Sequence, residues 1–468
     1  MIFTEGRFFV LFLLCFLVHW SLRGSTARKA WLLACSCVFY GAWDVRFLAL
    51  MFATLTLDYV IGAVLGKERA PGGRKLWLAL SIAGNLGILG FFKYFGFFVD
   101  SAVAFSAWLG LPMSARTLDI VLPVGVSFYT FQSMSYTFDV YRRELKPAKS
   151  YLDFALFVTF FPQLVAGPIV RAVDFLPQLE TLKRWADVAA RPALVLFLVG
   201  FVKKACIADQ VAPTVDLLFA HPEQYGVYST WIGVVLYAVQ IYCDFSGYSD
   251  MAIACAALLG YRLTLNFDFP YLATDITTFW RRWHISLSSW FRDYLYIPLG
   301  GNRVSQSRTY SNLALVFFLC GLWHGAKWTF VVWGLMHGSY LVLHRLWNAR
   351  VSKESALARF GGSIGWILTP LAVLLAWVVF RAPDFGAAAE VWGRMLGAGG
   401  EASAAFTWRW APFVAVLFAV HVLSRRRTLA PFEKQAPDWA FALAYGIAWA
   451  VALPWVATGT TPFIYFQF

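Results

Sequence analysis

Charge is scarce in this sequence. Only 14% of its 468 residues are Asp, Glu, Lys or Arg and 60% are apolar, against soluble averages of roughly 25% and 45–50%. With a mean hydropathy of +0.61, a water-soluble core of this size is excluded. Paired cysteine is lacking too. The seven cysteines stand singly in or beside apolar segments, with no CxxC and no Cys/His ligand spacing. They read as small buried residues, and neither a disulfide framework nor a metal site is expected. An HExxH pair, a P-loop and a GxGxxG turn are all missing. Zinc-protease, nucleotidase and dehydrogenase readings therefore lack their parts. No internal repeat, low-complexity tract or soluble domain interrupts the chain. It reads as one domain over residues 1–468, ending in an aromatic tail at 458–468.

What is present is a succession of apolar runs, many long enough to cross ~30 Å of hydrocarbon. Backbone in lipid must satisfy its own hydrogen bonds, so the runs read as helices and the fold class as all-α. The first, Phe8 to Trp20, has one Arg before it and no small-residue cleavage site, and reads as a retained helix. The net charge of +13 is not a nucleic-acid footprint. Lys and Arg gather in short loops between apolar runs, the positive-inside pattern. Arg23, Arg28 and Lys29 put the first loop in the cytoplasm and the N-terminus outside. Ala30–Trp43 and Phe47–Leu65 go out and back, Trp77–Val99 goes out, and Leu118–Val140 returns to Arg142 and Arg143. Continued to Arg425-Arg426-Arg427 and Trp439–Val456, this alternation gives about eleven spans, both termini extracytoplasmic, in a membrane-integral chain surrounded by lipid.

Two segments break the alternation. Phe154–Val170 is apolar between basic flanks and is interrupted by Phe161-Pro162-Gln163 and Ala166-Gly167-Pro168. Pro192–Val202 lies between Arg191 and Lys203-Lys204. Both read as re-entrant pieces, tolerated only where they are buried or line a cavity, so a hollow, water-accessible interior is expected. The return run from Trp231 to Leu259 carries Tyr242, Asp244, Ser246, Tyr248 and Asp250. Intramembrane carboxylates normally face such an interior, although both Asp could instead bond neighbouring helices. Tyr261–Arg308 is too polar to span, and reads as short helices at the cytoplasmic surface. Leu313–Trp323 and Trp328–Leu343 then form a hairpin with His324 and Gly325 at its apex.

Of the seven histidines, His19, His221, His344 and His421 read as interfacial, and His337 as lining or supporting the cavity. His284 and His324 stand apart, each following a Trp (Trp283, Trp323). A neutral imidazole takes a proton from a hydroxyl at physiological pH. Arg281, Arg282 and Arg303 suit a phosphate-rich donor, since guanidinium pairs bidentately with phosphate, although any one Arg could be a surface anchor. Asp244 and Asp250, six apart, lie on different helix faces, against a carboxylate-pair mechanism.

Five passages, LPVGVSFYTFQSMSY from Leu122, FFPQLVAGPIVR from Phe160, QIYCDFSGYSDMAI from Gln240, FWRRWHISLSSWFRDYLYIPLGGNR from Phe279 and GLWHGAKWTFVVWG from Gly321, together resemble the membrane-bound O-acyltransferase superfamily. The likeness is to its bacterial branch, typified by alginate O-acetylation and including peptidoglycan, cellulose and D-alanyl transfer. The resemblance implies about eleven helices around a central funnel. It implies that His324 matches the family's catalytic histidine and His284 its second. Further implications are an acyl thioester donor such as acetyl-coenzyme A, with no bound cofactor, and an extracytoplasmic glycan acceptor. A periplasmic or membrane-anchored partner acyltransferase is implied as well. The FIYFQF tail resembles a motif whose tyrosine, here Tyr465, relays the acyl group, the alternative being an interfacial aromatic. Asp244, Ser246, Tyr248, Trp283 and Trp323 join the arginines as expected substrate contacts. Bacterial inner-membrane localisation follows. The rival expectation is a channel or transporter for an activated precursor, which needs no imidazole at the apex. A protein-directed acyltransferase of the same superfamily is disfavoured by the bacterial wording of the motifs.

Overall fold

The structure is a computed structural model. It describes the chain except residues 112, 115–117, 119, 353–354, 400–401, 426–434 and 458–468, and the side chains of 356–360. Its elements are helical, and among the described residues the only β pairing is an isolated bridge between Tyr225 and Ala404. Two compact units emerge, Met1–Ala193 with Met251–Thr264, and Leu194–Asp250 with Leu265–Phe468.

The first unit begins with α1 (Gly6–Ser21), α2 (Ser25–Gly41), α3 (Arg46–Lys67) and α4 (Pro71–Trp108). Of these α3 and α4 are long and apolar enough to cross a membrane, as is Gly361–Arg381 in the second unit. The outer face of α1 bears Leu13, Leu14 and Leu17, each more than half exposed, the surface a helix shows to lipid. α4 is longer than the expected Trp77–Val99, running through a π turn at Gly90–Tyr94. α5 (Val126–Arg142) starts later than Leu118, because Pro123 lacks an N–H and Gly125 takes φ +74°. A polar knot joins α3, α4 and α5. The buried Asp58 carboxylate accepts from Ser81 Oγ (2.6 Å), Asn85 Nδ2 (2.8 Å) and Ser133 Oγ (2.5 Å), so the cost of burying it is offset by three donors. Arg74, also buried, donates to the carbonyls of Leu65, Val140 and Tyr141, closing the C-terminal ends of α3 and α5.

Phe154–Val170 is broken as the prolines and glycine dictate, into the end of α6 (Tyr151–Thr159), a single turn α7 (Phe161–Leu164) and irregular chain before α8 (Ala172–Leu179). Every residue from Phe154 to Val170 is buried. The freed backbone is satisfied locally: Ser36 Oγ accepts from Phe161 N (3.1 Å) and Gln163 Nε2 donates to the Phe157 carbonyl (2.5 Å).

Pro192–Val202 corrects the sequence expectation. It is not re-entrant. Ala190–Phe201, a π turn at Val202–Ala208 and Asp209–Ala220 run on as one helix, α9 (residues 190–220). In the second unit Lys203 and Lys204 are therefore not a loop flank. Lys204 is buried and Lys203 half-buried against α10 (Val227–Leu258), where Lys203 pairs with Asp250 (2.7 Å) and Lys204 with Asp244 (2.5 Å) and Asp209 (2.7 Å). Gly247 lets the two helices approach, since a β-carbon there would meet the Gly200 carbonyl.

After two short helices, α11 (Ile276–Arg282) and α12 (Ile285–Phe291), the hairpin forms from α13 (Gln306–His324) and α14 (Trp328–Arg350). Gly321, Gly334 and Gly325 make it tight: a side chain at the first two would strike the carbonyls of Phe330 and Phe317, and at the third the Phe330 ring. The chain then runs through α15 (Ala356–Arg381), α16 (Phe385–Met395), α17 (Trp410–Arg425) and α18 (Asp438–Ala452). Of the interfacial histidines, His221 is exposed as expected. His19 is not: it is wholly buried beside Trp20 and Tyr261.

Candidate functional site

The two histidines singled out by their context meet inside the second unit. His324 ends α13 at the hairpin apex, and His284 lies between α11 and α12; their ring centroids are 6.4 Å apart. His284 has φ +44° and ψ +54°, a left-handed conformation uncommon for a side chain larger than glycine. Such strain persists only where the surroundings enforce it. Here the enforcing residue is Asn266. Its carbonyl accepts from Ile285 N (2.9 Å), its Oδ1 from Ser286 N (3.3 Å) and Ser286 Oγ (2.9 Å), and its Nδ2 donates to Ser249 Oγ (3.1 Å).

This network assigns a proton. A backbone N–H only donates, so the Ser286 amide identifies the Asn266 atom facing it as oxygen. The same oxygen lies 3.2 Å from His284 Nδ1. Nδ1 must then carry the hydrogen, which leaves the Nε2 lone pair of the neutral ring as an acceptor. Nε2 is buried and has no hydrogen-bond partner among the described residues. His337 is the opposite tautomer. The Trp280 indole N–H donates to its Nδ1 (3.3 Å), so its Nε2 holds the proton.

Aromatic rings enclose the pair. Trp333 (4.9 Å), Trp323 (5.1 Å) and Phe380 (5.3 Å) surround His324, and Phe245 (4.6 Å) and Trp323 (5.9 Å) surround His284. His324 is 4% exposed and His284 0%. The expected water-accessible passage at these rings is therefore not what the structure holds; they are packed shut, because tryptophan and phenylalanine faces fill the space the glycines leave.

Close by is a cavity of about 350 Å³, lined by Trp280, Arg281, Ser288, Ser289, Arg292, Phe317 and Cys320 among others. Its polar rim comes from α11 and α12, its apolar floor from α13. Cys320 lies one helical turn before His324, and Trp280 leans on both Trp333 (5.9 Å) and His337 (5.1 Å).

The other expected contacts divide. Trp323 packs on both histidines. Trp283 is buried in an aromatic stack with Phe279 (5.7 Å) and Trp377 (5.0 Å). Arg281 lines the cavity, whereas Arg282 donates to the Leu272 carbonyl (3.2 Å). Arg303 is exposed and does not line it. Asp244 is held by the buried Lys204 and Asp250 by the half-buried Lys203, so both carboxylates are already paired with ammonium groups. Ser246 and Tyr248 are buried on α10. Tyr465 lies outside the described residues. Asn266, Trp333 and Phe380 escaped the sequence reading. Asn266 stands alone in LTLNFDF with no local pattern, and only folding brings it beneath His284.

A family model described as the membrane-bound O-acyltransferase family matches residues 142–381. Among curated relatives, "Probable alginate O-acetylase AlgI" of Azotobacter vinelandii is 42% identical over 405 residues, covering 85% of this chain and 79% of that protein. "Peptidoglycan O-acetyltransferase" of Helicobacter pylori is 36% identical over 401 residues, covering 80% and 74%. "Teichoic acid D-alanyltransferase" of Streptococcus thermophilus is 29% identical over 283 residues, covering 55% and 68%.

Proposed function

The chain belongs to the membrane-bound O-acyltransferase family, and from this premise we propose that it moves an acetyl group from a cytoplasmic thioester to a glycan hydroxyl outside the membrane. Its membership makes it a membrane-integral acyltransferase. The glycan reading draws on the relatives, whose names specify alginate and peptidoglycan as acceptors. The reading includes a cell inner membrane location, supported by the bacterial relatives, and extracytoplasmic termini, supported by the alternation of basic loops.

The observation that carries the mechanism is the meeting of two imidazoles one helical turn from an arginine-rimmed cavity. In the proposed sequence Arg281 and Arg292 hold the phosphates of an acetyl-coenzyme A-like donor. The acyl end passes Trp280, whose ring turns aside to admit it. His324 takes the proton of the acceptor hydroxyl. The oxygen bonds to the acyl carbon, the C–S bond breaks, and the imidazolium returns its proton to the departing thiolate. His284, locked as an acceptor by Asn266, receives a hydrogen bond from a substrate N–H or O–H. Tyr465 is the proposed first acceptor, passing the ester to a partner acyltransferase outside.

Replacing His324 by Ala tests the reading. Proton transfer of this kind contributes roughly 10²–10⁴-fold, and a loss of that size is expected in a normally folded variant. Full transfer by that variant would instead favour a protein that only conducts an activated precursor.

A further inference from the structure

The first unit holds a larger cavity, about 580 Å³, to which the transfer chemistry gives no role. It opens beside α8 and the chain that follows α10. Gln178 builds one wall: its Oε1 accepts from Arg262 N (2.8 Å) and its Nε2 donates to the Arg262 carbonyl (3.0 Å). Gly260, at φ +85°, packs directly under the Lys183 side chain. The clamp and the glycine together bring Lys183 and Arg262 to the same cavity.

The charge there is unbalanced. Arg184 is neutralised by Asp187 (2.9 Å), but Lys183 and Arg262 have no acidic partner among the described residues. Lys183 Nζ donates to Thr181 Oγ1 (3.0 Å) and lies over the Tyr261 ring (5.3 Å). Burial, and then the neighbouring Arg262 charge, hold this ammonium below the ordinary lysine value. Two cations facing one cavity repel each other, and an anion between them relieves that repulsion.

The surroundings identify the kind of anion. Trp185, half exposed, meets Trp20 (5.4 Å) and Phe16 (5.5 Å) edge-on, at the foot of the lipid-facing α1. Arg28 lies over the same Trp20 (5.1 Å). Tryptophan beside arginine at a helix end marks the headgroup level of a membrane. By its loop charges this end is cytoplasmic, the side whose leaflet carries anionic lipid.

We propose that this cavity binds a phosphate group, that of an anionic phospholipid headgroup, through Lys183 and Arg262. The test uses the full-length protein in non-ionic detergent, titrated with dioctanoyl-phosphatidylglycerol and followed by thermal unfolding. A saturable stabilisation is expected, absent with dioctanoyl-phosphatidylcholine. It should weaken roughly thirtyfold in K183A/R262A, the effect of removing two cations near a membrane surface, and persist in K183R/R262K. An unchanged response in K183A/R262A, or equal stabilisation by the choline lipid, overturns the proposal. So does displacement of the lipid by inorganic phosphate or coenzyme A through the same two residues, which assigns the cavity to a soluble ligand.

Discussion

Asn266→Ala is the substitution on which the most structure converges. It removes the acceptor of His284 Nδ1, of Ser286 N and of Ser286 Oγ, together with the donor to Ser249 Oγ. Leaving a buried donor unsatisfied costs about 1–3 kcal/mol, against about 0.5–1.5 kcal/mol for the net worth of one bond. If roughly 1.4–2.7 kcal/mol of that falls on the orientation and tautomer of His284, kcat drops roughly 10–100-fold. Asn266→Asp keeps an oxygen facing Nδ1 and should lose less activity than Asn266→Ala. The assay is transfer of labelled acetyl from a thioester in proteoliposomes, with kcat and KM separated. Because Asn266 acts through His284, Asn266→Ala should cost almost nothing further once His284 is already Ala. Equal losses for the Ala and Asp variants, or a full additional loss in the His284→Ala background, would refute a positioning role.

Further outcomes follow from other parts of the structure. Lys204→Met leaves Asp209 and Asp244 buried without their ammonium. A loss of about 3–5 kcal/mol of stability is expected, read as a fall in Tm and partly recovered by adding Asp244→Asn. Arg281→Ala with Arg292→Ala should raise KM for a coenzyme A thioester while leaving kcat nearly unchanged, and a pure kcat effect would remove the arginines from donor binding. Tyr465→Phe should abolish glycan acylation in cells if the tyrosine relays the acyl group; undiminished acylation would leave it an interfacial aromatic.

Much was legible because it depends on composition or local geometry. Apolar runs without charge have to be helices in lipid. The prolines and glycine between Phe161 and Pro168 have to break one. The two apolar runs on either side of His324 and Gly325 announce a hairpin with His324 at its tip. Lys203-Lys204 misled because charge pattern is a rule about loops, and it fails where a helix carries its lysines to carboxylates on another helix. His19 misled for a similar reason: a helix end is interfacial only if nothing packs over it, and here Trp20 and Tyr261 do.

By itself the sequence determined the class, the family and the two histidines worth examining, since those follow from hydropathy, backbone constraint and motif wording. Tertiary structure alone decided which nitrogen of His284 is bare, which arginines reach a cavity and which carboxylates are already spent on lysines. The His284 tautomer rests on a residue 18 positions away and the Asp250 pair on a lysine 47 away, and a hydrogen bond or ion pair is set by an approach of about 3 Å that no local pattern encodes.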